Sequence, residues 1–174
     1  VTFPAAYVNQ YEMWEFLYNE AGVVQQHTGD PPSVSGWPAY YQLPQFHEMW
    51  INNDTLPKRN IFTDMLIQNG YTRSGETVRI DPIAFAASLP NPGDPNALIN
   101  DSLDILYRVP LSDASKTTIK RSILLTNQLE DYYWTNAWNA HILNPGDAMA
   151  RQIVQSRLTT FYKYLMNLAE YQLS

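Results

Sequence analysis

Between Thr28 and Gln45 the chain places Pro31, Pro32, Gly36, Pro38 and Pro44. Each proline fixes φ and removes a backbone donor, so this stretch is neither a helix interior nor a central strand. It also carries Trp37, Tyr40 and Tyr41, with Phe46 just beyond. Leaving that much aromatic surface in water is unfavourable. The stretch is therefore expected to pack down as an Ω-like loop on a core supplied by the rest of the chain. The rest reads as helices. The expected fold is all-α, an irregular bundle of about five to seven helices with this long proline- and aromatic-rich loop packed on it.

Apolar spacing marks the helices. From Ala5 to Ala21, the residues Tyr7, Tyr11, Trp14, Tyr18 and Ala21 recur at three- and four-residue steps on one helix face, and Gly22 is a stop. Asp54 or Thr55 is expected to cap a helix with Pro57 in its first turn, Ile61, Met65 and Leu66 inward, and Gly70 at its end. After the polar turn Arg73-Ser74-Gly75-Glu76, Val78-Arg79-Ile80 alternates as a short extended piece. Asp81-Pro82 then opens a short helix through Leu89. Helices follow at Pro95–Tyr107, with Leu98, Ile99, Leu103 and Leu106 inward, and at Ser112–Leu125, with Ile119, Ile123 and Leu124 inward. Leu129–Leu143 is apolar nearly all round, which predicts a buried helix through the core. The last helix shows Val154, Leu158, Phe161, Leu165 and Leu168 in a near-heptad stripe reaching almost to Ser174. No repeat or change of composition marks a boundary, so residues 1–174 are expected to form a single helical domain.

Composition restricts function more than it assigns one. Hydrophobic residues make up 45% of the chain and charged residues only 16%, which favours a packed core over disorder. The net charge of -6 and pI near 4.9 argue against nucleic acid as a partner, because phosphate binding rests on Lys and Arg. No apolar run approaches the roughly 20 residues of a membrane-spanning helix. The absence of cysteine removes thiolate metal sites, iron–sulfur clusters and cysteine nucleophiles.

The segment Asp30-Pro31-Pro32-Ser33-Val34-Ser35-Gly36-Trp37-Pro38, followed by Trp50-Ile51-Asn52-Asn53-Asp54-Thr55-Leu56 and then Arg59, resembles the most recognisable block of a bacterial family catalogued as domain of unknown function 1800 (DUF1800). That block reads approximately Pro-Pro-Asn-Val-x-Gly-Trp-Pro, a short spacer, Trp-Ile-Asn-Ser-Ser-Thr-Leu and an Arg. The chain departs from it at Ser33, at Asn53-Asp54 and in a longer spacer, Ala39 to Met49. The closing Leu168-Ala169-Glu170-Tyr171-Gln172-Leu173-Ser174 is also similar to a family C-terminus. The family's chains are usually more than twice this length, so the resemblance implies a C-terminal fragment whose first partner is the N-terminal portion of the same protein. It also implies export, to the periplasm or cell surface, and a distant link to glycan metabolism. It supplies no catalytic residue.

The candidate site residues are Trp37, Tyr40, Tyr41, Trp50, Asn52 and Arg59. The aromatic faces are of a kind that stacks on sugar rings, beside amides that donate and accept hydrogen bonds. The same residues also suit a structural clasp, with Arg59 either forked onto a carboxylate or holding an anionic ligand. No metal site or cofactor is expected. His27 near Asp30 and His47 beside Glu48 lack a ligand spacing, and His141 reads as a satisfied core or boundary histidine. The carboxylate pairs Glu12 with Glu15, Asp30 with Glu48, and Glu130 with Asp131 read as solvated faces unless the fold brings them together. Ser33 and Ser35 lack a nucleophile elbow. The expected function is a non-catalytic, extracytoplasmic helical domain contributing a glycan- or protein-binding surface. The competing expectation is part of a carbohydrate-acting hydrolase whose site is shared with an N-terminal portion.

Overall fold

A computed structural model describes residues 7–27, 29 and 51–172, and the expected Pro/aromatic loop lies outside them. The elements run α1 (Tyr7–Val23), α2 (Thr55–Gln68), β1 (Tyr71–Arg73), β2 (Glu76–Val78), α3 (Pro82–Ala87) and α4 (Pro95–Leu106). They continue with α5 (Asp113–Thr118), a π-helical segment (Ile119–Leu124), α6 (Tyr132–Leu143), α7 (Ala148–Asn167) and α8 (Ala169–Gln172). The all-α class is what forms, with one two-stranded hairpin as the strand content of the described residues. No helix among these residues is long and apolar enough to cross a membrane. The contacts divide the chain into two compact units between Ile80 and Asp81, at a point where the composition does not change.

In the first unit, α2 starts differently from the sequence reading. Asp54 makes no side-chain cap. Instead Asn52 Oδ1 accepts from the backbone N–H groups of Asp54 and Thr55, both at 2.9 Å, while Thr55 Oγ1 accepts from Asn52 N at 3.0 Å. That reciprocal pair satisfies donors that the first helical turn leaves open. The helix buries Leu66 and Ile67 and leaves Ile61 exposed, so the expected inward face is rotated. Gly70 ends it at φ +73°, where a Cβ would come within 2.7 Å of the Val78 carbonyl oxygen. The hairpin pairs Tyr71 with Val78 and Arg73 with Glu76. Its two turn residues, Ser74 and Gly75, both have positive φ, 53° and 82°, as the tight turn matching strand twist requires. Strand β2 thus starts two residues earlier than the alternation at Val78 suggests.

The second unit is built on α7. Its Val154, Leu158, Phe161 and Leu165 are completely buried, as the stripe predicts, and α3, α6 and the π-helical segment pack against it. Leu168 is where the helix stops, at an extended ψ of 149°. Asp81, Asp94, Ser112 and Asp147 each accept backbone N–H groups at a helix start, which fixes where α3, α4, α5 and α7 begin. The expected Ser112–Leu125 helix keeps Ile119 and Leu124 inside, but widens to π geometry from Ile119 and ends on Thr126 and Asn127 at φ 52° and 65°. A β-branched residue at positive φ is strained. The Leu129–Leu143 reading needs a correction: α6 buries only Trp134, Trp138 and His141, while Tyr132, Ile142 and Leu143 are exposed. Its apolar residues outnumber the buried positions because one stripe suffices to dock it on α7.

Candidate functional site

Of the six candidate residues, Trp37, Tyr40, Tyr41 and Trp50 lie outside the described residues, as do His47, Glu48, Asp30, Ser33 and Ser35. Asn52 is the α2 cap, with its Nδ2 at 3.5 Å from Gln25 Oε1. Arg59 is half-buried on α2, one turn ahead of Thr63, whose hydroxyl donates to the Arg59 carbonyl oxygen at 3.3 Å.

The carboxylate pairs have structural work where they are described. Glu12 and Glu15 on α1 both face Arg73 of the hairpin, at 3.6 Å and 3.1 Å, and Ser74 Oγ donates to Glu12 at 2.6 Å. One turn of α1 is thereby tied to the β-turn. Asp131 accepts from Lys120 Nζ and from Asn96 Nδ2 at 2.8 Å. Desolvation pushes its carboxyl pKa up, but these hydrogen bonds outweigh it and leave the group below the usual carboxylate range. Glu130 stays exposed.

The histidines also differ from expectation. His141 is buried on α6 against Trp138, but its Nδ1 has no hydrogen-bond partner, so it is a core histidine that is not satisfied. His27 meets Tyr18 with ring centroids 3.8 Å apart and planes inclined at 44°, and its ring lies over Gly22. Among the described residues no three His, Asp or Glu side chains converge as metal ligands.

The prominent surface feature is the face of α1 marked by its aromatic spacing. Tyr7, Tyr11, Trp14 and Tyr18 are 77%, 63%, 50% and 62% exposed. The buried side of α1 is instead Met13, with Phe16 stacked on Tyr71 at a centroid distance of 3.7 Å and nearly parallel planes. Helical spacing identified a coherent face, but periodicity alone cannot say whether an aromatic face looks into a core or out of it. Tyr11 and Trp14 meet edge to face at 5.2 Å, so the side chains support one another on the surface.

No protein-family model matches the chain, and comparisons with curated proteins and with solved structures give no significant similarity.

Proposed function

We propose that the chain is a non-catalytic helical module presenting a glycan-binding surface, and that the aromatic stripe of α1 is that surface. The observation that carries this reading is the exposure of Tyr7, Tyr11, Trp14 and Tyr18 along a single helix face. A contiguous apolar strip of this kind is costly to leave in water and marks an interaction surface. Flat aromatic rings bind sugars because the C–H face of a pyranose is apolar while its hydroxyls stay hydrated at the rim. Residues seven apart on a helix lie roughly 10 Å apart along its axis, about the length of two sugar rings in an extended chain. Tyr7 with Trp14, and Tyr11 with Tyr18, repeat at that interval. The same proposal places the protein outside the cytoplasm, in keeping with the resemblance of its Pro-Pro and Gly-Trp-Pro block, and gives it further binding partners within a longer chain.

The test is affinity electrophoresis of the intact 174-residue chain in gels containing mixed-linkage β-glucan, xylan or polygalacturonate. Retardation by at least one polymer, lost in Tyr11→Ala and Trp14→Ala variants that keep the parent circular dichroism, supports the reading. Migration unchanged by every polymer overturns it.

A further inference from the structure

A second site, independent of the α1 stripe, lies in the second unit between α4 and the α5–π segment. It is an open cleft of about 250 Å³ with Ile99 at its base, lined by Asn96, Asn100, Asp113, Lys116, Thr117 and Lys120. Two i,i+4 pairs face each other across it in opposite order. Lys116 Nζ donates to Asn100 Oδ1 at 2.9 Å, and Lys120 Nζ donates to Asn96 Oδ1 at 2.9 Å.

The two lysines are not electrostatically equivalent. Lys120 forms an ion pair with Asp131 at 3.0 Å and is largely covered. Lys116 is held only by a neutral amide, and no carboxylate lies within ion-pairing distance among the described residues. An ammonium has three donors, so Lys116 keeps two for something in the cleft. Placing like charges one turn apart destabilises a helix unless something compensates them. Asp131 compensates Lys120, and the charge of Lys116 remains.

We propose that this cleft binds a small hydroxylated carboxylate, a sugar acid, with its carboxylate on Lys116. The size and the lining both favour that class. The Asp113 carboxylate lines the same cleft, one helical turn before Lys116. It repels a bare anion and accepts hydrogen bonds from hydroxyl groups, so a ligand must carry its negative charge on one side and hydroxyls on the other. The Asn100 NH2 adds a donor, and the Thr117 hydroxyl, whose hydrogen goes to the Asp113 carbonyl oxygen at 2.8 Å, adds an acceptor around the same space. The cleft volume suits a single six-membered ring.

The experiment is a 1H–15N NMR titration of the whole chain with glucuronate, glucose and acetate in parallel. The proposal predicts saturable shifts at Asn100, Asp113, Lys116 and Thr117 with glucuronate. Glucose and acetate should each bind more weakly by about ten-fold, the weight of one charge-assisted hydrogen bond. Lys116→Gln should reduce glucuronate affinity to that of glucose while leaving the rest of the spectrum in place. If that variant fails to fold, Asp113→Asn replaces it and should narrow the preference for glucuronate over acetate. No saturable shift with glucuronate, equal affinity for glucose or acetate, or an unaltered affinity in the variant would each overturn the assignment.

Discussion

Tyr107, the residue that closes α4, donates its hydroxyl to the main-chain carbonyl oxygen of Leu165 on α7 at 2.6 Å. Both partners are buried, and Leu165 is fully enclosed. The bond ties the end of α4 to the helix that organises the second unit. Replacing Tyr107 by Phe keeps the ring but removes one of the two hydrogen bonds that this oxygen accepts, leaving the one from Leu168 N at 3.2 Å, at a cost of about 1 kcal/mol. Urea unfolding should show the midpoint falling with an unchanged m-value.

The buried tyrosines of this unit also set an alkaline limit. Burial pushes the Tyr162 hydroxyl up from 10.0 to about 12, against a smaller opposing effect of its hydrogen bond to Ser102. Burial raises Tyr107 as well, reinforced by Glu170 and by neighbouring tyrosines. For a group whose folded value lies above its unfolded one, the folded state holds the proton longer. Its stabilising contribution is complete below pH 10 and disappears as pH rises through the folded value. Stability measured by urea titration should therefore be flat up to about pH 10 and decline steadily between about pH 10 and 12. The decline should be shallower in Tyr162→Phe.

Gly70 and Gly75 separate steric need from conformational preference. Both have positive φ, but a Cβ at Gly70 would meet Val78 and Arg79 at under 3 Å, whereas at Gly75 it meets nothing within 4 Å. Gly75→Ala should cost about 1 kcal/mol for the left-handed backbone alone. Gly70→Ala should cost clearly more, because the hairpin must move off the end of α2. Thermal unfolding of the two variants side by side checks the order.

How far the sequence reveals this structure depends on what each pattern encodes. The stripe Val154, Leu158, Phe161, Leu165 was legible because α7 buries one regular face against several partners. Asp81-Pro82 and Ser112 were legible because capping is local chemistry. The α2 cap at Asn52 was not, since Asp54 is an equally good capping residue type, yet its carboxylate pairs with Lys58 at 2.7 Å and only its backbone N–H joins the cap. Strand β1 went unread although Ser74-Gly75 is a hairpin turn, because three residues are too short for an alternation. The π-helical widening has no signature in Ile119–Leu124. At the candidate sites, the i,i+4 spacing of Asn96 with Asn100 and of Lys116 with Lys120 is plain in the sequence. That these pairs face one another is a tertiary fact. The aromatic face of α1 was found by spacing, and its direction was set only by Met13 and Phe16 docking on the other side.

Trp14 reports which way the aromatic face of α1 looks. The emission of Trp14, taken as the difference between the parent chain and Trp14→Phe, should be red-shifted and strongly quenched by acrylamide. It should turn blue and become protected when a retarding polysaccharide is added. A difference spectrum already blue and shielded from acrylamide in the free protein would contradict the account, because the stripe would then be covered by the protein itself.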